Sequence, residues 1–338
     1  MRYEITLIPG DGIGPEITDA ALTVLAATGL SIDWDRQLGG MSAIAAHGDP
    51  LPAATLDSIR RTRIALKGPL TTPIGGGFRS VNVALRKEFE LFANLRPART
   101  IIPGGRFDNI DIVLVRENLE GLYVGQERWV ECDGDPHGQA ESVAIVTRRG
   151  AERVIRFAFN YAVRHHRGRL TLVHKANILK NTSGLFLDVG RAIAAEYAGR
   201  VALNDLIVDN CAMQLVMRPE RFDVIVTTNL FGDILSDEIA GLVGGLGLAP
   251  GGNIGADHAI FEAVHGSAPD IAGQQVANPA ALILAAAMML EHLGEADAGD
   301  SIRRALIATI VADRIRTSDL GGVATTREFG DAVARRVA

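Results

Sequence analysis

Two aspartates four residues apart are the first residues in this 338-residue chain whose spacing suggests chemistry. They lie in Asn229-Leu230-Phe231-Gly232-Asp233-Ile234-Leu235-Ser236-Asp237. At the start of a helix, that spacing puts both carboxylates on one face. Like charges one turn apart repel unless a cation sits between them, and the positive end of a helix offsets only part of the cost. Hard oxygen donors suit Mg2+ or Mn2+ rather than zinc. Asp209, in Ile207-Val208-Asp209-Asn210, is a candidate third ligand. The plainer alternative is a pair of acids complementing the helix dipole.

Arginines form a second group. The run Arg79-Ser80-x-Asn82-x-x-x-Arg86 is followed by Leu95-Arg96-Pro97 and by Arg116-Glu117-Asn118. Guanidinium groups grip carboxylates with two parallel hydrogen bonds, so Arg86, Arg96 and Arg116 converging would suit a substrate with several carboxylates. Taken singly, each could equally be a solvated or ion-paired surface arginine. The chain has only four lysines, Lys67, Lys87, Lys175 and Lys180. Lys175, in Val173-His174-Lys175-Ala176-Asn177, follows an apolar strand, where α/β proteins place reactive groups. Burial or nearby cations would lower its pKa and suit it to proton transfer; the alternative is a strand-end surface lysine. A fourth stretch, residues 261–273 with Ala277-Asn278-Pro279, is rich in small residues that let backbone approach a ligand. His265 in it could stack on a base. A plain Gly/Pro loop is the alternative.

These residues need elements to position them. Apolar runs predict strands at 5–8, 64–66, 111–115, 170–173 and 222–226. Apolar residues at helical spacing predict helices at 15–25, 81–91, 152–164, 185–196, 232–242 and 280–293. The last has Asn278 as N-cap, Pro279 in its first turn and Gly294 as its stop. Strands alternating with helices argue an α/β fold. Residues 129–146 differ: they are polar and turn-rich at Asp133-Gly134-Asp135-Pro136, and read as a hairpin-like excursion. The start, Pro9-Gly10-Asp11-Gly12-Ile13-Gly14-Pro15-Glu16, tempts a dinucleotide-binding reading. Pro15 stands where the last glycine of G-x-G-x-x-G is needed, so a structural turn is favoured.

A chain of this length predicts two domains. Its composition, 47% apolar and 22% charged, is that of a globular protein. No apolar stretch is long enough to span a bilayer. The start has neither a signal-peptide layout nor an Arg-rich presequence, which predicts a cytoplasmic chain or one lacking its presequence. Two isolated cysteines, Cys132 and Cys211, suit a reducing compartment. A net charge of −6 argues against nucleic acid as a partner but allows a small anion at a local arginine cluster.

Together the four stretches resemble the isocitrate/isopropylmalate dehydrogenase family, and within it the NAD-dependent isocitrate branch. The likeness runs from Ile8-Pro9-Gly10-Asp11-Gly12-Ile13-Gly14-Pro15-Glu16 to Asp319-Leu320-Gly321-Gly322, with residues 229–237 and 241–255 its most specific part. The resemblance implies an α/β fold that is not a Rossmann fold. It implies a discontinuous large, cofactor-binding domain from residues 1–98 and 252–338, and a small central domain from 99–251. Two subunits would pair as a homodimer through the central domain, with the 129–146 excursion as a clasp and the active sites shared.

Roles are implied residue by residue. Ser80, Asn82, Arg86, Arg96 and Arg116 match isocitrate-binding positions. Tyr123 matches the catalytic tyrosine, and Lys175 the catalytic lysine, reaching in from the neighbouring subunit. Asp209, also from the neighbour, with Asp233 and Asp237, matches the ligands of Mg2+ or Mn2+. Thr72, Glu262, His265, Gly266, Ser267, Ala268, Asp270, Ile271 and Asn278 match the cofactor site. The implied reaction is oxidation of isocitrate to 2-oxoglutarate and CO2 in the tricarboxylic acid cycle, Lys175 assisting removal of the hydroxyl proton and Tyr123 protonating the enol carbon. Polar Ser80 and Asn82 favour isocitrate over isopropylmalate, with homoisocitrate or tartrate as runners-up. Phosphorylation of Ser80 would block a carboxylate by repulsion. Asp270 and Ile271 replace the Lys and Tyr of NADP-using relatives, and Ser318 and Gly322 replace a Tyr and an Arg, so NAD is expected over NADP. A non-catalytic regulatory subunit is the competing reading, against which all the site residues named above are present.

Overall fold

The computed structural model describes residues 2–73, 77–78, 80–104 and 107–338. In chain order the strands are β1 (Arg2–Ile8), β2 (Ser31–Arg36), β3 (Ile64–Lys67), β4 (Ala93–Arg99), β5 (Asp111–Glu117), β6 (Gly121–Cys132), β7 (Asp135–Ile145), β8 (Arg169–His174), β9 (Ala202–Ile207), β10 (Val224–Thr227), β11 (Pro250–Ile254) and β12 (Ala259–Ala263). The helices are α1 (Gly14–Ala26), α2 (Met41–His47), α3 (Ala53–Thr62), α4 (Val81–Glu88), α5 (Arg148–Arg164), α6 (Thr182–Ala194), α7 (Val208–Met217), α8 (Asn229–Val243), α9 (Ala280–His292), α10 (Ala296–Val311) and α11 (Thr326–Val337).

One ten-stranded sheet runs β2-β1-β3-β12-β11-β4-β5-β10-β8-β9. Its two flanks are parallel, and the ladders of β12 with β11, β11 with β4 and β4 with β5 in the middle are antiparallel. In the flank β5-β10-β8-β9 all carboxyl ends point one way. Arg116, the Asn229 helix start, Lys175 and Asp209 therefore gather along one edge, where open α/β sheets bind ligands. Apolar burial follows the same division. Residues 5–25, 64, 66 and 248–333 contribute one core, while 93, 115 and 151–226 contribute another. Helix α9 is buried nearly all round, which explains its even, alanine-rich apolar character.

Several boundaries differ from the sequence expectation. The helix expected over 81–91 ends at Glu88, because Glu90 takes φ +46° and turns the chain into β4. Helix α5 starts at Arg148 because the Thr147 hydroxyl accepts from the Gly150 N–H at 3.0 Å. Pro279, not Asn278, is the cap residue of α9, although Asn278 Oδ1 still accepts from the Ala280 N–H at 3.0 Å. The excursion is a β6–β7 hairpin longer than expected. Its turn, Asp133 (φ +54°) and Gly134 (φ +81°), has the two left-handed residues of a tight hairpin.

Candidate active site

The antiparallel centre of the sheet holds a buried polar chain. Lys67 Nζ on β3 pairs with Glu262 Oε2 on β12 at 2.6 Å. Glu262 Oε1 accepts from Asn253 Nδ2 at 2.7 Å, and Asn253 Oδ1 accepts from Asn94 Nδ2 at 2.7 Å and from Asn118 Nδ2 at 3.0 Å. Asn94 Oδ1 then accepts from Arg96 Nε at 2.8 Å. Each amide is oriented by the next, so the fixed charge of Glu262 sets which face of Asn94 meets Arg96. Burial alone would raise the Glu262 pKa, but Lys67 and Arg86 hold it down at about 2.

Above this chain opens a cavity of about 120 Å3 lined by Lys67, Asn82, Arg86, Asn94, Arg96 and residues 262–266. Arg86 and Arg96 are 9% and 8% exposed, and burial, reinforced by repulsion from Arg116, lowers both pKa values, that of Arg96 to about 10. Arg86 Nε and Asn82 Oδ1 are buried without a hydrogen-bond partner. Such groups are costly unless something fills the space beside them. Ser80 sits at the same end of α4, its hydroxyl capping the helix through the Val83 N–H at 3.5 Å. Arg79 lies outside the described residues.

Helix α8 brings Asp233 and Asp237 to Arg96, which lines this cavity. Arg116, 1% exposed, pairs with Asp233 and donates to Asn229 Oδ1 through Nε at 3.0 Å and Nη2 at 2.7 Å. Arg96 Nη1 lies 3.4 Å from Asp233 Oδ1 and 3.7 Å from Asp237 Oδ1. The Tyr123 hydroxyl donates to Asp233 Oδ2, and the Arg116 guanidinium lies 5.0 Å from the Tyr123 ring centre. Burial would raise the Asp233 pKa, but Arg116 and Tyr123 hold it below the usual carboxylate range. Asp237 is raised by burial, with repulsion from Asp233 adding to it. Burial and the bond to Asp233 raise Tyr123. Arg96, Arg116 and the two aspartates thus form one cluster.

Lys175 and Asp209 stand apart from it. They pair with each other, and this bond lowers the Asp209 pKa. Among the described residues no three acidic, His or Cys side chains come together as a metal-holding group. One chain therefore assembles Asp233 and Asp237 but not Asp209 beside them.

The loop after β12 carries the remaining residues. His265 Nδ1 donates to the Gly266 carbonyl at 3.0 Å, leaving Nε2 buried and unpartnered; burial lowers the His265 pKa. Ser267 is buried and shares a 2.7 Å hydroxyl contact with Thr71, whose neighbour Thr72 is exposed. Ala268 takes φ +38°, and Asp270 and Ile271 follow on a short 3-10 turn, with Asp270 exposed. Asn278 is committed to bracing, its Nδ2 donating to Asp319 Oδ2 at 2.9 Å.

The model of the family described as isocitrate/isopropylmalate dehydrogenase matches residues 4–333. The chain belongs to that family. An isocitrate/homoisocitrate dehydrogenase of Thermus thermophilus is 49% identical over 98% of each chain. Catalytic subunit 5 of the mitochondrial NAD isocitrate dehydrogenase of Arabidopsis thaliana is 47% identical over 97% of this chain and 87% of its own. The crystal structure of isocitrate dehydrogenase from Methylococcus capsulatus superposes with a TM-score of 0.96 at 57% identity, covering 99% of both chains. Membership makes the chain a dehydrogenase, an enzyme with the family's mixed-sheet α/β fold. Among the described residues no helix is long and apolar enough to cross a membrane.

Sequence reasoning left three of this family member's site residues unassigned. Lys67 had a visible signal, being one of four lysines and ending an apolar strand. Asn94 and Asn253 had none, because two asparagines 159 residues apart meet only when β4 and β11 pair.

Proposed function

We propose that this dehydrogenase converts isocitrate to 2-oxoglutarate and CO2 with NAD and a divalent cation, Mg2+ or Mn2+. The observation that carries the reading is the cavity beside Arg86 and Arg96, with Arg86 Nε and Asn82 Oδ1 buried and unpartnered. It asks for a small, polar, multiply anionic ligand. The aspartates fit a hard cation, since Asp237 is already raised by burial and by Asp233, a repulsion a cation would relieve. The loop fits a nucleotide, since buried His265 Nε2 is an acceptor awaiting a donor.

Asp233 and Asp237 would hold the metal, and the 265–271 loop the cofactor. When bound, these groups would polarise the C2 oxygen and accept the hydride. Arg86, Arg96 and Arg116 fix the carboxylates and so aim the reacting carbon. Lys175 takes the C2 hydroxyl proton, and the Tyr123 hydroxyl returns a proton to the carbon that loses CO2. Because Asp209, which pairs with Lys175, joins no metal-holding group with Asp233 and Asp237 among the described residues, both are assigned to a second copy's site, as the family resemblance implies, which makes a homodimer the minimal unit. The division of burial supports a large domain built from both chain ends and a small central one, proposed here as 1–98 with 252–338 and 99–251, although Ala93 packs with the central core and Leu248 with the other.

NAD is preferred over NADP because exposed Asp270 would repel a 2′-phosphate. At Gly322 a Cβ would come within 2.0 Å of the Arg316 carbonyl oxygen, leaving no room for a phosphate-binding side chain. Saturation kinetics with both cofactors should give a much higher kcat/KM for NAD; equal values contradict the assignment. A second reading, homoisocitrate as an additional substrate, is favoured by the printed name of the Thermus thermophilus relative. It is tested by running both acids side by side.

A further inference from the structure

The glycine-rich start has no part in the reaction above, yet Asp11 within it is placed with care. Asp11 is 6% exposed, and among the described residues it has no cationic partner. Its carboxylate instead accepts three backbone N–H bonds. Oδ2 takes those of Met41 at 3.0 Å and Thr71 at 2.9 Å, and Oδ1 takes that of Ser42 at 3.0 Å. The Asp11 N–H also donates to the Pro69 carbonyl at 2.7 Å. One side chain thus ties the turn after β1 to the first turn of α2 and to the Thr71-Thr72 segment after β3.

That segment and turn touch the loop assigned to the cofactor. Thr71 and Ser267 share a hydroxyl contact at 2.7 Å, and the Ile13 N–H donates to the Ser267 carbonyl at 2.9 Å. Gly12, at φ +58°, lies so close that a Cβ there would meet the Ser267 carbonyl oxygen at 2.0 Å. Gly40, at φ +74°, is equally tight: a Cβ would meet Asp11 Oδ2 at 2.2 Å. The turn is therefore pressed against Ser267 from one side while Asp11 fixes Thr71 on the other. Thr71 and Ser267 themselves do not line the arginine cavity, although Pro69, Leu70 and Gly266 beside them do.

We propose that Asp11 is a positioning residue for the nucleotide cofactor, fixing the Thr71-Thr72 segment and, through Thr71 and Gly12, the 265–271 loop. The inference rests on the reading of that loop as the cofactor site. A carboxylate is needed because three donors converge on two oxygens. An asparagine has one acceptor oxygen and would turn its NH2 group toward an N–H that already needs an acceptor.

The test is the KM for each ligand in purified Asp11→Asn enzyme, with the Kd for NADH from fluorescence titration. The expected result is a KM for NAD and a Kd for NADH raised about tenfold, the loss of one charge-assisted hydrogen bond, with the KM for isocitrate within about twofold of wild type. Thr71→Val, which keeps shape and backbone, should shift the same two constants in the same direction and serves if Asp11→Asn does not fold. A changed Tm with an unchanged KM for NAD would overturn the proposal. So would equal rises in both KM values, which mark general loosening. If wild-type enzyme neither binds NADH nor reduces NAD, the cofactor assignment itself fails, and the inference with it.

Discussion

Arg96 makes four polar contacts from one buried guanidinium, with Asn94, Ser236, Asp233 and Asp237. A lysine there keeps the charge but loses the fork. Arg96→Lys should lower kcat/KM for isocitrate about a hundredfold while leaving the KM for NAD nearly unchanged; steady-state kinetics decide it. Glu262 offers a pH test. Its pKa is held at about 2, below the ordinary carboxyl value of 4.5. A depressed acid contributes its stability in full above the unfolded-state value and loses it as pH falls through the folded value. The unfolded chain binds more protons in that window, so stability should fall as pH drops from about 4.5 toward about 2. Denaturant midpoints across that range should fall less steeply for Glu262→Gln than for wild type; identical slopes would remove Glu262 from the account. Arg86, Arg96 and Arg116 were legible as a group because each is an arginine beside Pro, Asn or a helix end. Their burial was not, since a polar residue's burial depends on partners from other strands.

Helix α8 sits where it does because Gly232 lets it close on β5. A Cβ at that position would come 2.6 Å from Arg116 Cγ and 2.8 Å from Arg116 Cβ. Gly232→Ala should cost about 1–3 kcal/mol in stability and displace Asp233, raising the Mg2+ concentration for half-maximal activity. An unchanged metal titration would argue that α8 is not fixed there. Asn253→Leu should destabilise by about 3 kcal/mol, because Glu262 and Asn94 each lose a buried partner; urea unfolding measures it. Strands β3, β5 and β8 were readable from the apolar runs within them. The edge strand β2, with sequence Ser-Ile-Asp-Trp-Asp-Arg, and the Gly-rich β11, Pro-Gly-Gly-Asn-Ile, were not. Strand β11 is a strand because two neighbours pair with it on either side, not through propensity.

On the proposed reading, the whole molecule would present half of each of two sites. Arg96, Arg116, Tyr123, Asp233 and Asp237 meet in one chain, while Lys175 and Asp209 pair elsewhere in it. Two copies would complete both sites by exchange. Lys175→Met and Asp233→Asn should each be inactive alone. Co-expressed, they should recover about a quarter of wild-type activity, one intact site in half of the dimers; no recovery would place each site within one chain. The α/β class was legible from alternating apolar runs. The join of chain start and chain end into one core, where α1 packs on α11, came only from the family resemblance, because nothing local records so distant a contact. All of this bears on one assay: NADH formation by the purified chain with isocitrate, NAD and Mg2+ or Mn2+, beside homoisocitrate, 3-isopropylmalate and tartrate. Turnover of isocitrate above the other acids, abolished by EDTA, is expected. Turnover mainly of another acid, or none of isocitrate, would contradict it.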